Sequence, residues 1–312
     1  MEKLQSQTKN LTIKRILCYF VLILLTVISL FPFYAMIINA TRTHEQISMG
    51  FSALPGKAFL KNFVNLSVNK DKFATVEELH AFLDKWGLSI RDGNYAVNYP
   101  VLKGMINSLI IAGLTALVTT YFSAMTSYGV YMYNFKGKKF AFRFIMAVMM
   151  VPTQVSTLGF LRLLDKLHLM DNYTGLIVPA IAAPVVFFYM YQSMEATLPF
   201  SIVEAARVDG CNEFRTFNRI VVPMMKPAIA VQAIFAFVSS WNNYFIPALV
   251  ISDKKLWTVP IVIANARNAD YMNFNQSINY MLMTVAILPL IVAYLCLSRY
   301  IISGATAGGV KE

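Results

Sequence analysis

The residues whose types could do chemistry in this chain are mostly neutral. Asn107, Gln154, Asn242, Asn243 and Tyr244 stand inside or at the margins of long apolar runs. Amide and phenol groups there either bond a neighbouring helix or line a polar cavity. A lining of this kind suits sugars, because hydroxyls want amide partners and ring faces want aromatics.

Catalytic constellations are missing from the sequence. There is no G-x-x-x-x-G-K-[ST] loop to cradle nucleotide phosphates, and no G-x-S-x-G or H-E-x-x-H. His44, His80 and His168 have no metal-ligand spacing. Cys18, Cys211 and Cys296 lie in separate segments, which argues against a disulfide or zinc framework. The apolar runs hold no acidic residue, so coupling to protons or sodium through intramembrane acids is not expected either. No catalytic residue, metal site or cofactor is expected in this chain.

These residues are positioned by apolar runs. The chain has 312 residues, 57% hydrophobic and 14% charged, where a soluble domain carries about 25% charged residues. A helix crossing a bilayer needs about 20 apolar residues. Six runs qualify: 16–38, 104–131, 144–161, 172–194, 227–251 and 277–298. Pro32 predicts a kink in the first, and Pro152 interrupts the third. The run after Lys14 and Arg15 is too long for a cleavable signal and lacks a small-residue cleavage site.

Net charge is +11, carried mostly by loops, which reads as a topology signal rather than a nucleic-acid surface. Fourteen Lys and Arg residues fall on the side of both termini and of the 199–227 segment, against five in the opposite short loops. Both termini and that segment are therefore expected in the cytoplasm. Residues 39–103 form an extracytoplasmic insert, with one amphipathic helix expected near 75–86 behind a Thr75–Glu78 capping box. The 252–276 loop is the other sizeable outside segment.

The 199–227 segment, PFSIVEAARVDGCNEFRTFNRIVVPMMKP, reads as two short helices joined at Gly210. Pro199 suits a first turn, and Ser201 and Glu204 have capping-box spacing. Gly210 suits a left-handed position after the first helix, and Asn212 can cap the second. Phe214, Phe217, Ile220 and Val221 recur at helical spacing, and Pro223 and Pro227 are expected to stop it.

The same segment resembles the EAA motif of permease subunits of ABC importers, E-A-A, three residues, G, nine residues, I-x-L-P. Glu204, Ala205, Ala206, Gly210, Ile220 and Pro223 match, and Val222 replaces the usual Leu. Other segments are similar to the maltose and multiple-sugar branch. These are Asn107-Ser108-Leu109, Met150-Val151-Pro152 with Gln154, Leu169 to Asn172, Trp241-Asn242 with Pro247, and Trp257 to Pro260. The ending from Arg299 to Lys311 resembles RYFxxGxxxGAVKG, with Ser303, Gly309 and Glu312 departing from it.

The resemblance implies an all-α membrane protein of six transmembrane helices, with the type I ABC importer permease fold and cytoplasmic termini. Its expected divisions are a tail at 1–15, a first span at 16–38, the insert at 39–103, a five-helix core at 104–302 with coupling helices at 199–221, and a tail at 303–312. It implies a multi-pass protein of the bacterial inner or plasma membrane that imports a carbohydrate, an oligosaccharide. Glu204, Ala205, Ala206, Asp209, Gly210, Phe214, Ile220 and Pro223 would couple to ATPase subunits, which bind the ATP and Mg. The other implied partners are a second homologous permease forming a heterodimer, an extracytoplasmic sugar-binding protein and membrane lipid, with no nucleic acid. Asn265, Arg267, Asn268 and Asp270 would meet the binding protein. The alternatives are a permease for glycerol phosphate or a polyamine, and a membrane scaffold without transport. Basic residues lining the pathway would favour an anionic cargo, and the apolar runs show none.

Overall fold

The computed structural model describes residues 2–67, 78, 81, 100–267 and 275–307. Every regular element among these is helical. They are α1 (Glu2–Ala40), α2 (His44–Ser48), α3 (Phe59–Ser67), α4 (Val101–Met132), α5 (Lys138–Met149) and α6 (Thr153–Lys166). There follow α7 (Pro184–Thr197), α8 (Phe200–Val208), α9 (Glu213–Met224), α10 (Lys226–Trp241), α11 (Phe245–Val250), α12 (Val259–Arg267) and α13 (Gln276–Ala307). A helical turn and a 3₁₀ turn over Thr174–Ile177 and Val178–Ile181 lead into α7.

Among the described residues, four segments are long and apolar enough to cross a membrane: Lys14–Ala40, Val101–Met132, Thr174–Thr197 and Gln276–Cys296. Two bent pairs raise the number to six if each pair is one span. The first pair is α5 with α6, which meet at 102°. Pro152 stands at this break: it has no N–H to continue the ladder of α5, and it takes ψ 127 as N-cap of α6. The second pair is α9 with α10, bent by 82° at Met225. Pro32 lies inside α1, which runs unbroken from Glu2 to Ala40.

The chain divides into two compact units. The first holds residues 1–99 and 266–285. Its Lys14–Ala40 span has no buried residue in its most apolar window, so its apolar surface is free. The turn after α1 is tied by Asn62, whose side-chain amide donates to Ala40 O at 2.8 Å and Arg42 O at 2.9 Å. Thr43 and Gln46 make a reciprocal capping box at the start of α2. Glu78 and Ala81 are helical, while the rest of the expected 75–86 helix lies outside the described residues.

The second unit holds residues 100–265 and 286–312. α4 is its central post. Small buried residues on one side, among them Ala112, Ala116 and Ala124, allow α7 and α10 to pack closely. Polar ties reinforce this packing: Ser127 Oγ donates to Phe187 O at 2.8 Å, and Tyr131 Oη donates to Leu198 O at 3.1 Å. A core of Met190, Met194, Leu198, Val203, Phe217, Val221 and Met225 continues from these helices into α8 and α9.

Candidate functional site

Two places in the second unit gather the residues that the sequence singles out: the α8–α9 hairpin and a cavity beside α4.

In the hairpin, α8 buries Val203 and Ala206, one turn apart, and exposes Glu204, Ala205, Val208 and Asp209. It ends in a Schellman arrangement. Gly210 takes φ 79, its N–H donates to Arg207 O, and Cys211 N–H donates to Ala206 O, both at 3.0 Å. Nothing lies within 4 Å of a Cβ built at Gly210, so the backbone angle, not space, demands glycine there. Asn212 Oδ1 accepts from Arg215 N at 2.8 Å and caps α9.

The expected Ser201–Glu204 capping box does not form. Pro199 is the N-cap, so Ser201 falls inside the first turn, and no side chain caps the helix. Pro223 does not stop α9 either. The helix loosens into a π turn over Phe217–Val221 and runs on through Pro223 to Met224. Pro223 has no N–H to give to the preceding turn, and the wider turn before it accommodates the ring.

Four residues that sequence reasoning missed hold the hairpin in place. Glu213 Oε1 accepts from Arg207 Nε at 2.7 Å, and Glu213 Oε2 accepts from Tyr128 Oη of α4 at 2.7 Å. The Arg207 guanidinium lies 5.3 Å from the centre of the Tyr133 ring. Burial pushes the Glu213 carboxyl upward, but the bonds from Arg207, Tyr133 and Tyr128 outweigh it and hold the group below its ordinary range. The bond to Glu213 raises Arg207, outweighing burial, which lowers it.

The hairpin also exposes two large apolar side chains. Val208 is 87% exposed and Phe214 69%. They flank the glycine turn together with the exposed carboxylates of Glu204 and Asp209, while Ile220 is half-buried and Pro223 exposed.

The cavity has a volume of about 510 Å³. Thr115, Thr119, Gln232, Ser239, Asn243 and Thr258 supply polar groups, and Phe160 and Phe235 supply aromatic rings. Among the described residues, its lining contains no Lys, Arg, Asp or Glu. The side-chain oxygens of Thr115 and Thr258 are buried and bond to no other described residue.

Of the expected pathway residues, Asn243 lines this cavity. Asn107 does not: its amide donates to Lys255 O at 3.0 Å and Trp257 O at 2.9 Å. Next to it, Ser108 Oγ accepts from Val259 N at 2.8 Å. Gln154 is exposed near the start of α6, within 3.4 Å of the Thr153 hydroxyl. Asn242 and Tyr244 are exposed where the helix breaks between α10 and α11. Gln232 was passed over because its run reads as uniformly apolar; a lone amide in such a run was the available signal. Asn265 is half-buried on α12, and Arg267 ends that helix. Asn268 and Asp270 lie outside the described residues. The start of the 252–276 loop is held by Asp171, whose Oδ1 accepts from the backbone N–H of Asp253 at 3.0 Å and from that of Ser252. The backbone N–H groups of Asp253 and Ser252 hold the Asp171 carboxyl below its ordinary range.

Comparison with known proteins places this architecture. The chain is similar to the arabinooligosaccharides transport system permease protein AraQ of Bacillus subtilis, with 39% identity over 67% of this chain and 73% of the relative. It is similar over 94% of its length, and 96% of the relative, to the sn-glycerol-3-phosphate transport system permease protein UgpE of Brucella abortus at 27% identity. The fold matches a chain of a bacterial ABC transporter involved in the import of the acidic polysaccharide alginate. That match has a TM-score of 0.73 over 93% of this chain and 96% of the other, at 16% identity. The pattern described as binding-protein-dependent transport system inner membrane component matches residues 116–305, and the chain belongs to this family of membrane permeases.

Proposed function

We propose that this chain is one of two permease subunits of an ABC importer that carries a neutral carbohydrate, an oligosaccharide, into the cell. The observation that carries the sugar reading is the cavity beside α4, lined by amides, hydroxyls and two phenylalanine rings, with no charged residue among the described ones. Sugars are recognised by such groups, and the similarity to a permease named for arabinooligosaccharides supports the same class.

The drive comes from separate ATPase subunits, which bind ATP and Mg and dock on α8–α9. Val208 and Phe214 enter an apolar socket, and Glu204 accepts charge-assisted hydrogen bonds at its edge. Ala205 is small enough for the helix to lie close. The sister permease covers the free apolar surface of α1 and the exposed Met150, Val155 and Leu158 around the α5–α6 break. An extracytoplasmic binding protein delivers the sugar to the side that carries the 252–276 loop. Differential binding of ATP and of the loaded binding protein shifts the permease between its two access states.

The similarity to glycerol-3-phosphate permeases over 94% of the chain supports a second reading, an anionic solute. The described lining argues against it, since a buried phosphate needs a cationic partner and none of the described lining residues is one. The deciding experiment is to purify this chain with its sister permease, ATPase and binding protein, and measure ATPase activity in lipid with a panel of sugars and with glycerol 3-phosphate. Stimulation by a neutral sugar is expected. Stimulation by glycerol 3-phosphate alone would replace sugar with phosphate ester as the cargo, and no associated ATPase would remove the importer reading.

A further inference from the structure

We infer that residues 49–60, the loop between α2 and α3 with the first turn of α3, form a lipid anchor. It buries Phe51 and Leu54 in the bilayer leaflet that α1 reaches at its C-terminal end. The partner is the boundary between acyl chains and anionic headgroups. The inference does not depend on the cargo; it concerns how the first unit is seated in the membrane.

α1 fixes the depth of this loop, which turns back along the helix. The Tyr34 hydroxyl donates to Ala53 O, and the rings of Phe51 and Phe31 lie 5.5 Å apart, centre to centre. At about 1.5 Å per residue, Tyr34 stands about 6 Å and Phe31 about 10 Å inside the end of the 16–38 apolar run. Both side chains lean further toward the helix N-terminus, as helical side chains do. Interfacial segments bury their apolar side by about 5–10 Å, which is the same depth. Phe51 is 62% exposed and Leu54 76%. The loop therefore carries two large apolar side chains at a level where α1 itself is apolar and uncovered.

Backbone at this depth must find its own partners, because acyl chains supply none. Buried Arg42 meets part of that need: its guanidinium donates to Gly50 O at 3.0 Å and to Gln46 O. Met49 N–H donates to Glu45 O at 3.0 Å, and Gly50 N–H to Ile47 O at 3.1 Å. Leu54 N–H donates to Ser52 Oγ at 3.1 Å, and Tyr34 takes up Ala53 O.

The chain then rises to the membrane surface. Gly56 N–H donates to Thr41 Oγ1 at 2.7 Å and Ala58 N–H to Thr41 O at 2.8 Å, so this stretch is level with the end of α1. The exposed Lys57 lies between these two bonds, at the height of the headgroup phosphates. α3 is polar toward the protein and apolar away from it. Asn62 is buried on Ala40 O and Arg42 O, while Phe59 and Leu60 are exposed. A helix facing water has the reverse polarity.

Charge separates lipid from a protein neighbour. Residues 46–63 hold Lys57 and Lys61 and no Asp or Glu. Lysine is depleted at protein interfaces and favoured beside anionic headgroups. A sister permease on α1 covers one side of the helix and leaves the opposite flank to lipid.

The test uses the complete importer in nanodiscs containing phosphatidylglycerol, with Cys18, Cys211 and Cys296 replaced by alanine. A nitroxide is attached at Leu54→Cys or at Lys57→Cys, and its relaxation by oxygen is compared with that by a water-soluble nickel chelate. The ratio of oxygen to nickel effect should be about tenfold higher at residue 54 than at residue 57, since a polar chelate is excluded from the apolar layer. Melting temperature checks that each labelled complex is folded, and Phe51→Cys gives the same reading where the label at 54 disturbs folding. Equal ratios with strong nickel relaxation would place the loop in water and overturn the anchor. Weak relaxation by both agents at residues 51 and 54 would show a protein cover, from the sister permease or from residues 68–99, and would also overturn it. Neither result touches the importer reading, which the ATPase assay decides separately.

Discussion

Tyr128 and Glu213 are joined by a 2.7 Å hydrogen bond across 85 residues of sequence, linking the end of α4 to the first turn of α9. Tyr128 is 4% exposed and Glu213 also holds Arg207, so one carboxylate ties both arms of the hairpin to the long helix beside the cavity. If the ATPase docks on the hairpin as proposed, this tie would pass a push on Val208 or Phe214 to α4.

Removing either end of this tie should loosen the hairpin unequally. Tyr128→Phe forfeits one hydrogen bond, about 1 kcal/mol. Glu213→Leu leaves the buried Tyr128 hydroxyl without its partner and should cost more, about 1–3 kcal/mol, while the partly exposed pair with Arg207 adds less than about 1 kcal/mol. A double-mutant cycle on thermal inactivation of the purified complex should show coupling of at least about 0.5 kcal/mol. Strict additivity would mean that the bond is not a tie.

The same carboxylate sets a pH response. Its folded-state pKa is depressed, so its contribution is fully present above the ordinary carboxylate value of about 4.3 and is lost as pH falls through the lower, folded value. Protease resistance of the 199–227 segment should therefore be flat from about pH 8 to pH 5 and fall only below about pH 4. Glu213→Gln should be less resistant throughout and should lack that acid step. A wild-type loss centred near pH 6 would point to some other group.

Gly210 tests the turn. At φ 79 a β-branched residue is strained, and Gly210→Val should cost about 1–3 kcal/mol locally and abolish uptake while membrane insertion is kept. Gly210→Asn should retain much of the uptake, because asparagine tolerates the left-handed region. Equal loss in both variants would show that the missing side chain, not the backbone angle, is what matters.

How much of this could be read in advance varied with the range of the interaction. The glycine turn and the Asn212 cap depend on neighbours two or three residues away, and residue types alone express them. The Ser201–Glu204 spacing misleads because a capping box needs the right register, and Pro199 takes the cap position first. The Tyr128–Glu213 tie could not be read at all, since nothing local to either residue refers to the other. Gln232 and Thr258 were missed for a related reason. Lining a cavity depends on which face of α10 meets α4, and a run apolar on every side does not reveal its inward face. The breaks at Pro152 and at Asn242–Tyr244 show the limit of counting apolar residues, which measures length but not straightness.

Asn107 offers the sharpest separation between positioning and contact. Its amide acts as a double donor to Lys255 O and Trp257 O. Asn107→Leu leaves those two carbonyls without this donor and frees the turn that carries Thr258, at a cost of about 1–3 kcal/mol. Asn107→Asp should be worse than Leu, although it is nearly isosteric, because it sets a carboxylate against two carbonyl oxygens and supplies no donor. A residue that bound sugar directly would behave in the opposite order, since a carboxylate accepts readily from sugar hydroxyls. Measured side by side, uptake and melting temperature should both rank wild type above Leu above Asp. Asp above Leu in uptake would assign Asn107 to the sugar pathway and remove it from the clamp.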